Sequence, residues 1–257
     1  MFDVINHEDY PELSQISHKF WDYLYKNRLL ESLKATESLA RIRQHLALGR
    51  KVIVFHNYNE AEIKGPFDFS SMMHDKGLSM SESLQKEIAQ FDAQHPELTT
   101  IGGDLHSVPH TLSEAFGERV VMFNGTVPKK KRTQNKDAFN QTGSGVDIIV
   151  VQKQAGKEGL SLHDVTGDAP RALMVMGIPG SPTDSIQIEG RPYRVGLQSD
   201  ALFEYMVAGL RFERWTYAET VAKRTGTAEN LAMGNGARDL ENAFREGYLN
   251  PNAQEPS

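Results

Sequence analysis

Apolar residues along the chain fall into two rhythms. From Tyr10 to Gly49 they recur at helical spacing, with Leu39, Ile42 and Leu46 on one stripe, Pro11 suited to a first helical turn and Gly49 to a stop. Beyond that stop the pattern shifts to short unbroken runs: residues 51–55 (KVIVF), 119–123 (RVVMF), 146–151 (VDIIVV), 171–176 (RALMVM) and 202–207 (LFEYMV). Runs without polar alternation predict strands buried on both faces, the habit of a parallel sheet. A helical stretch at 129–141 separates the second run from the third, so strands and helices alternate and the fold class is α/β, a parallel β-sheet with helices on both faces. The segment between the first two runs is too long for one crossover. Leu84, Ile88 and Phe91 mark one helix in it and TLSEAFGE (111–118) a shorter one, so residues 64–118 read as a helical insertion. The expected organisation is a helical N-terminal extension (1–32), the α/β domain (33–207), a helical C-terminal extension (208–247) with glycine breaks at Gly226 and at Gly234 to Gly236, and a disordered tail (248–257).

Composition narrows the function only a little. The 257 residues are 39% hydrophobic and 24% charged, as in an ordinary globular domain with additions. A net charge of -6 does not advertise nucleic-acid binding, although an electropositive strip can sit on an acidic body. No cysteine is present, which excludes disulfides, thiolate catalysis and cysteine-ligated zinc. The first residues lack a basic and apolar leader pattern, and no apolar run approaches the roughly 20 residues that span a bilayer, so the expectation is a cytoplasmic protein without membrane contact. A phosphate loop is also missing: the Gly156–Lys157 pair is followed by Glu158 where Ser or Thr is required, and no apolar run ends in the Asp-Glu pair that would hold Mg²⁺.

What remains is an ordered set of polar segments at the ends of strands. KVIVFHNYNEAE (51–62), VVMFNGTVPKKKRTQNKDAFN (120–140) and DIIVVQKQAGKEGLSLHD (147–164) each carry a strand into polar or glycine-rich text, and QIEGRPYRVGLQ (187–198) follows. Ligands bind at the carboxyl edge of a parallel sheet, so these ends are expected to converge on one rim. The basic run 129–132 is either a solvated helix start or a phosphate contact beside the Gly125–Thr126 turn; its lysines gain nothing from the helix dipole. Asp104, His106 and His110 could ligate a metal or simply be polar loop residues, and no metal site is expected. His163–Asp164 looks like a metal phosphohydrolase pair, but a structural role is the better reading. Trp21, Tyr23 and Tyr25 suit helix packing or partner docking better than base stacking, and Met72, Met73 and Met80 suit padding of the insertion.

In order and spacing these segments resemble motifs IV, V and VI of superfamily 2 helicases and translocases, as found in their second RecA-like lobe. Within that superfamily the chain is most similar to strawberry-notch-type helicases and next to Swi/Snf-type translocases. The likeness rests on GLSLHD (159–164), on GIPGSPTDSIQIEGRPYR (177–194) and on the run 208–239, with its Ala-Gly, Arg-Phe and Val-Ala-Lys-Arg elements. It spans roughly residues 33–239 apart from the insertion.

The resemblance implies roles for single residues. Arg191 and Arg194 match the motif VI arginines that reach the γ-phosphate across the interlobe cleft, with Arg194 as the arginine finger; Gln187 and Gly190 match fixed positions of that motif. Gly156, Glu158 and Gly159 fall in motif V beside the nucleotide. Gly125, Thr126, Lys131, Arg132 and Ser161 fall where the lobe meets nucleic acid, DNA more than RNA. Lys157 and Glu158 depart from the family's small residues, and Pro192 is unusual in motif VI. ATP and Mg²⁺ would be held mainly by a first RecA-like lobe on a separate chain, so the expectation is half of a split ATP-dependent helicase. The competing expectation is a non-catalytic nucleic-acid or protein docking adaptor. Pro192 disfavours a helical Arg191 and Gly190 suits a helix C-cap, so both arginines are expected to project from an extended loop.

Overall fold

The computed structural model describes residues 8–59, 63–75, 81–102, 105–153, 155, 160–177, 181–230 and 241–242. Five strands form one parallel sheet: β1 (Lys51–His56), β2 (Val120–Phe123), β3 (Ile148–Gln152), β4 (Arg171–Val175) and β5 (Ala201–Tyr205), in the order β2-β3-β1-β4-β5. All five predicted runs are strands. β1 lies at the centre, with Val52 opposite Ile148 on one side and Ala172 on the other, and every residue of β1 and β4 is buried. Unbroken apolar text is what a strand with no solvent face requires.

Helices cover both faces. Alternate residues of a strand point to opposite sides. On one side Ile53, Phe55, Ile149, Val151, Leu173 and Val175 meet Phe139 of α7 (Lys129–Asn140) and Ile188 of α8 (Pro182–Glu189). On the other, Val52, Val54, Ile148, Val150 and Met174 meet Ala35 and Ile42 of α2 (Tyr23–Ala47) and Val108 and Leu112 of α6 (Val108–Phe116). The shorter helix read inside the insertion is thus α6, the cover of the central strands on the β1-to-β2 crossover.

The single helix expected from Tyr10 to Gly49 is two. α1 (Leu13–Phe20) ends at Trp21, and Asp22 restarts the chain as the N-cap of α2, accepting from the Tyr25 amide at 2.7 Å. Trp21 is buried against Phe67 and donates its indole N–H to the Pro66 carbonyl at 2.8 Å, which fixes the corner. α1 then packs on α3 (Phe69–Asp75), α4 (Glu82–Gln94) and α5 (Pro96–Thr99). Leu13, Ile16, Phe20, Phe67, Phe69, Met72, Ile88, Phe91 and Leu98 form one satellite core, so the N-terminal extension and the insertion share a single interior.

The expected break at Gly226 is absent: α9 (Arg211–Asn230) runs through it. Glycine within a helix costs about 1 kcal/mol against alanine, and buried Tyr217, Val221 and Thr225 hold the helix against the domain instead. The glycines at 234–236 and the tail 248–257 lie outside the described residues. No helix among the described residues is long and apolar enough to cross a membrane.

Candidate functional site

Two polar centres emerge, and they lie at opposite edges of the sheet. The first is built by the end of α8. Ser181 caps its start by accepting from the Asp184 amide at 3.4 Å, and Gly190 closes it with its N–H on the Ile186 carbonyl at 2.9 Å. Gly190 has φ −68, an ordinary right-handed conformation, and the Arg191 amide donates to Ile188 at 3.0 Å. Arg191 to Tyr193 therefore form a tight turn, not the extended loop expected.

That turn docks on the return segment between β3 and β4. The Leu162 amide donates to the Arg191 carbonyl at 3.1 Å, and Arg191 Nη1 donates to the Leu160 carbonyl at 3.2 Å. Arg194 Nη1 donates to the Ser161 hydroxyl, and Asn140 Nδ2 donates to the Ser161 carbonyl at 3.0 Å. Arg191 is half-buried with its Nε lacking a partner, and Arg194 is exposed. Burial lowers the pKa of the Arg191 guanidinium, and the positive charge of Arg194 lowers it further. Burial likewise lowers that of His163, followed by the charges of Arg194 and Arg171. Among the described residues neither Arg191 nor Arg194 has an ion-pair partner.

The nearby acid, Asp164, is fully engaged. Its Oδ1 accepts from the Thr166 amide at 3.0 Å, the Thr166 hydroxyl at 3.1 Å and the Gly167 amide at 3.0 Å; its Oδ2 accepts from Ala169 at 3.2 Å and the Ser199 hydroxyl at 2.7 Å. Burial works to raise its pKa, but the bond from Ser199 and those from Thr166 and Gly167 outweigh it and hold the carboxyl at about 2. Asp164 thus folds the loop, and its bonds go to loop donors and to Ser199 rather than to either guanidinium.

This centre belongs to the amino edge. Arg171, the first residue of β4, donates Nε to the Leu162 carbonyl at 3.0 Å and stacks on Phe139 at 5.0 Å. Lys51, the first residue of β1, closes the end of α7 by donating to the carbonyls of Phe139 and Gln141 at 2.7 and 2.8 Å. The expected convergence of all polar segments on one rim therefore fails. The chain must return from the carboxyl edge to start the next parallel strand, so both the 160–164 segment and the far end of α8 are delivered to the opposite side.

The second centre is the carboxyl edge. Asn124 Oδ1 accepts from the Thr126 amide and hydroxyl at 3.2 and 2.7 Å and from the Val127 amide at 3.3 Å, folding Gly125 and Thr126 into an exposed turn above the start of α7. The N-cap residue, Pro128, makes no side-chain cap bond, so the first amides of α7 have no capping partner from it. Lys131 is exposed there, and Arg132 lies over the Phe123 ring at 5.7 Å. Asn59 Nδ2 donates to Gln152 Oε1 at 2.5 Å, and Gln152 Nε2 donates to the Asn57 carbonyl at 3.3 Å.

Of the predicted residues, Arg191, Arg194 and Ser161 come together, while Gly125, Thr126, Lys131 and Arg132 form the other group. Gln187 is exposed on α8 and Gly190 is the helix cap. Gly156, Glu158 and Gly159 lie outside the described residues. Sequence reasoning gave His163 a structural role and missed Asn140 and Arg171 at the first centre and Asn57, Asn59 and Gln152 at the second; the polar residues that end the β1 and β3 runs were the available signal. The His106 and His110 rings stack with centroids 4.3 Å apart, Asp104 lies outside the described residues, and no set of three metal-ligating side chains occurs among those described.

No protein-family model matches the chain. A protein of Acanthamoeba polyphaga mimivirus named "Putative ATP-dependent RNA helicase L364" is 38% identical over 68 residues, 26% of this chain and only 12% of that protein's own length. Among solved structures, the C-terminal part of the Fun30 ATPase domain superposes with a TM-score of 0.39 at 14% identity, over 68% of this chain and 41% of that one. The RNA helicase Prp28 from Chaetomium thermophilum, bound to ADP, gives 0.39 at 14% identity over 74% and 34%. Domain 2 of the DEAD-box helicase Mss116p, bound to an RNA duplex, gives 0.37 at 14% identity over 84% and 73%.

Proposed function

We propose that this chain is the second RecA-like motor lobe of an ATP-dependent nucleic-acid helicase or translocase of superfamily 2, nearest the strawberry-notch type. The observation that carries the reading is the Arg191–Arg194 pair. Two guanidiniums sit close enough to perturb each other, one donates to Ser161, and among the described residues no carboxylate forms an ion pair with either. A guanidinium is always charged and presents a rigid fork of donors, so an open pair is a receptor for a phosphoryl group. In this reading Arg194, the more exposed, is the arginine finger and Arg191 the buttress behind it. The nucleotide's β-phosphate and Mg²⁺ are held by a first lobe that these residues do not supply.

Nucleic acid runs along the other edge. The Gly125–Thr126 turn, the uncapped start of α7 and Lys131 offer amides and charge to a backbone phosphate, and such contacts position a strand without reading its sequence. The 38% identity to the mimivirus protein adds support for a helicase, and RNA is as suitable a track as DNA at this rim. Chemistry and track on separate edges of one rigid sheet would let a change at the nucleotide reorient the strand-binding rim as a body.

The test is a pull-down from the source cell to isolate the partner, followed by ATP hydrolysis measured for the complex with and without single-stranded DNA or RNA. Stimulation by nucleic acid supports the reading. A chain that binds nucleic acid but leaves ATP turnover of every co-purified phosphate-loop protein unchanged would reduce it to a docking adaptor.

A further inference from the structure

Glu31 is an acid near the start of a long helix, yet it is 4% exposed and aimed at the carboxyl end of the sheet. Its Oε1 accepts from the Asn57 backbone amide at 3.0 Å and from Asn57 Nδ2 at 2.7 Å; its Oε2 accepts from the Asn57 and Tyr58 amides at 3.1 and 3.3 Å. The Asn57 carbonyl in turn accepts from Gln152 Nε2 at 3.3 Å. Gln152 Oε1 accepts from Asn59 at 2.5 Å and, in a long contact of 3.5 Å, from the Gly125 amide. One hydrogen-bonded chain thus runs from α2 across the exits of β1, β3 and β2 to the Gly125–Thr126 turn. Asn57 Nδ2 also donates to the Gly177 carbonyl at 3.4 Å, which ties in the end of β4.

We propose that Glu31 is a positioning residue for the strand-binding rim: its carboxylate holds Asn57 and Tyr58, the 57–59 segment holds Gln152, and Gln152 braces from below the Gly125–Thr126 turn that Asn124 folds. The claim rests on the functional reading above only in naming nucleic acid as the ligand of that turn. The chain of bonds stands on its own.

The charge on Glu31 decides whether the chain forms. An ionised carboxylate accepts at both oxygens, whereas a protonated one turns an O–H toward amides that need an acceptor. Burial pushes the pKa up to about 7, against the bonds from Asn57 and Tyr58 and the charge of Lys34. Around it stand Lys34 and Arg28 from α2, Tyr58 from the β1 exit with His56 Nδ1 2.9 Å from its carbonyl, Glu213 and Tyr217 from α9, and the His106 carbonyl, which accepts from Ser32. Lys34 is paired with Glu213, and burial lowers the pKa of His56 to about 4, so it is neutral near pH 7. Glu31 is then the switch at this spot, with the rim ordered above about pH 7 and loosened below. If only the ionised form presents the turn, affinity for a strand falls about tenfold from pH 8 to pH 6, in proportion to the competent fraction.

The test uses the full chain as wild type, Glu31→Gln and Gln152→Ala. Amide NMR from pH 5.5 to 8.5 should show Asn57, Tyr58, the Gln152 side-chain amide and Gly125 titrating with one midpoint in the wild type and none of them doing so in Glu31→Gln. In Gln152→Ala, Asn57 and Tyr58 should still titrate while Gly125 does not. Binding of a fluorescent oligo-dT or oligo-U over the same range should weaken about tenfold toward pH 6 in wild type relative to Glu31→Gln. A Gly125 amide that ignores the Asn57 midpoint overturns the proposal, as does an identical pH profile for wild type and Glu31→Gln. If no oligonucleotide binds at any pH, the functional reading falls, and the amide titrations still decide the relay.

Discussion

Removing the Glu213 carboxylate should be among the most costly single changes in this chain. Lys34, 5% exposed on α2, places its ammonium against Glu213, the Met176 carbonyl at 2.9 Å and the Tyr217 hydroxyl at 3.3 Å, while the other Glu213 oxygen accepts from the Ala208 amide at 2.6 Å. Glu213→Ala leaves a buried ammonium whose hydrogen-bond partners are two neutral oxygens, with the charge of Glu31 acting on it without a direct bond, and an amide without its acceptor. Breaking one side of a buried ion pair costs about 3–5 kcal/mol, because the surviving charge remains desolvated. For a chain of this length that corresponds to a fall of roughly 6–20 °C in Tm, at about 2–4 °C per kcal/mol. Replacing both partners, Lys34→Met with Glu213→Leu, removes the stranded charge and should recover most of the loss. Urea unfolding at pH 7 followed by circular dichroism, with m compared across the set, measures both quantities. A Glu213→Ala cost under about 1 kcal/mol, the level of an exposed pair, would refute the argument that α9 is fastened to α2 by a desolvated charge.

Other outcomes follow from the same geometry. A Cβ at Gly177 would collide with the Glu31 carboxylate and the Asn57 amide, so Gly177→Ala should destabilise by about 1–3 kcal/mol and shift the Asn57 and Tyr58 amide signals. Asp164→Asn should cost about 1–3 kcal/mol at pH 7 by spoiling a five-donor cage. Because the Asp164 pKa is depressed to about 2, its contribution is present above the ordinary carboxylate range and lost as pH falls through 2, so acid titrations of wild type and variant should converge there. Lys131→Ala should weaken oligonucleotide binding equally for all sequences and lower the slope of log affinity against log salt by about 0.7, as for one lost single-strand phosphate contact.

The strands were legible because a strand with no solvent face has no polar alternation, and β1 and β4 are buried at every residue. The corner at Asp22 was not. The apolar stripe continues through it, and only the Trp21 bond to Pro66, 45 residues away, shows why the chain turns. The satellite core was hidden for the same reason: Phe20 and Phe69 lie 5.3 Å apart, yet each by itself reads simply as an apolar position on a helix. The arginine pair was visible as a pattern, and the turn after Gly190 ends the helix where expected. Its neighbours were not visible, since Ser161 and Arg194 are joined across 33 residues by a return loop without periodicity. Glu31 was the least legible, because an acid early in a helix reads as a solvated face until α9 and the sheet enclose it.

The central claim is that the Arg191–Arg194 pair grips a phosphate held by another lobe. The most direct measurement is the single-turnover rate of ATP hydrolysis by this chain complexed with its phosphate-loop partner, comparing wild type with Arg194→Ala at saturating nucleotide and nucleic acid. Arg194→Ala should lose about 10³-fold or more, the size of an arginine finger, with complex formation unchanged. Hydrolysis within about twofold of wild type, a change of only about 0.4 kcal/mol in the barrier, would contradict it.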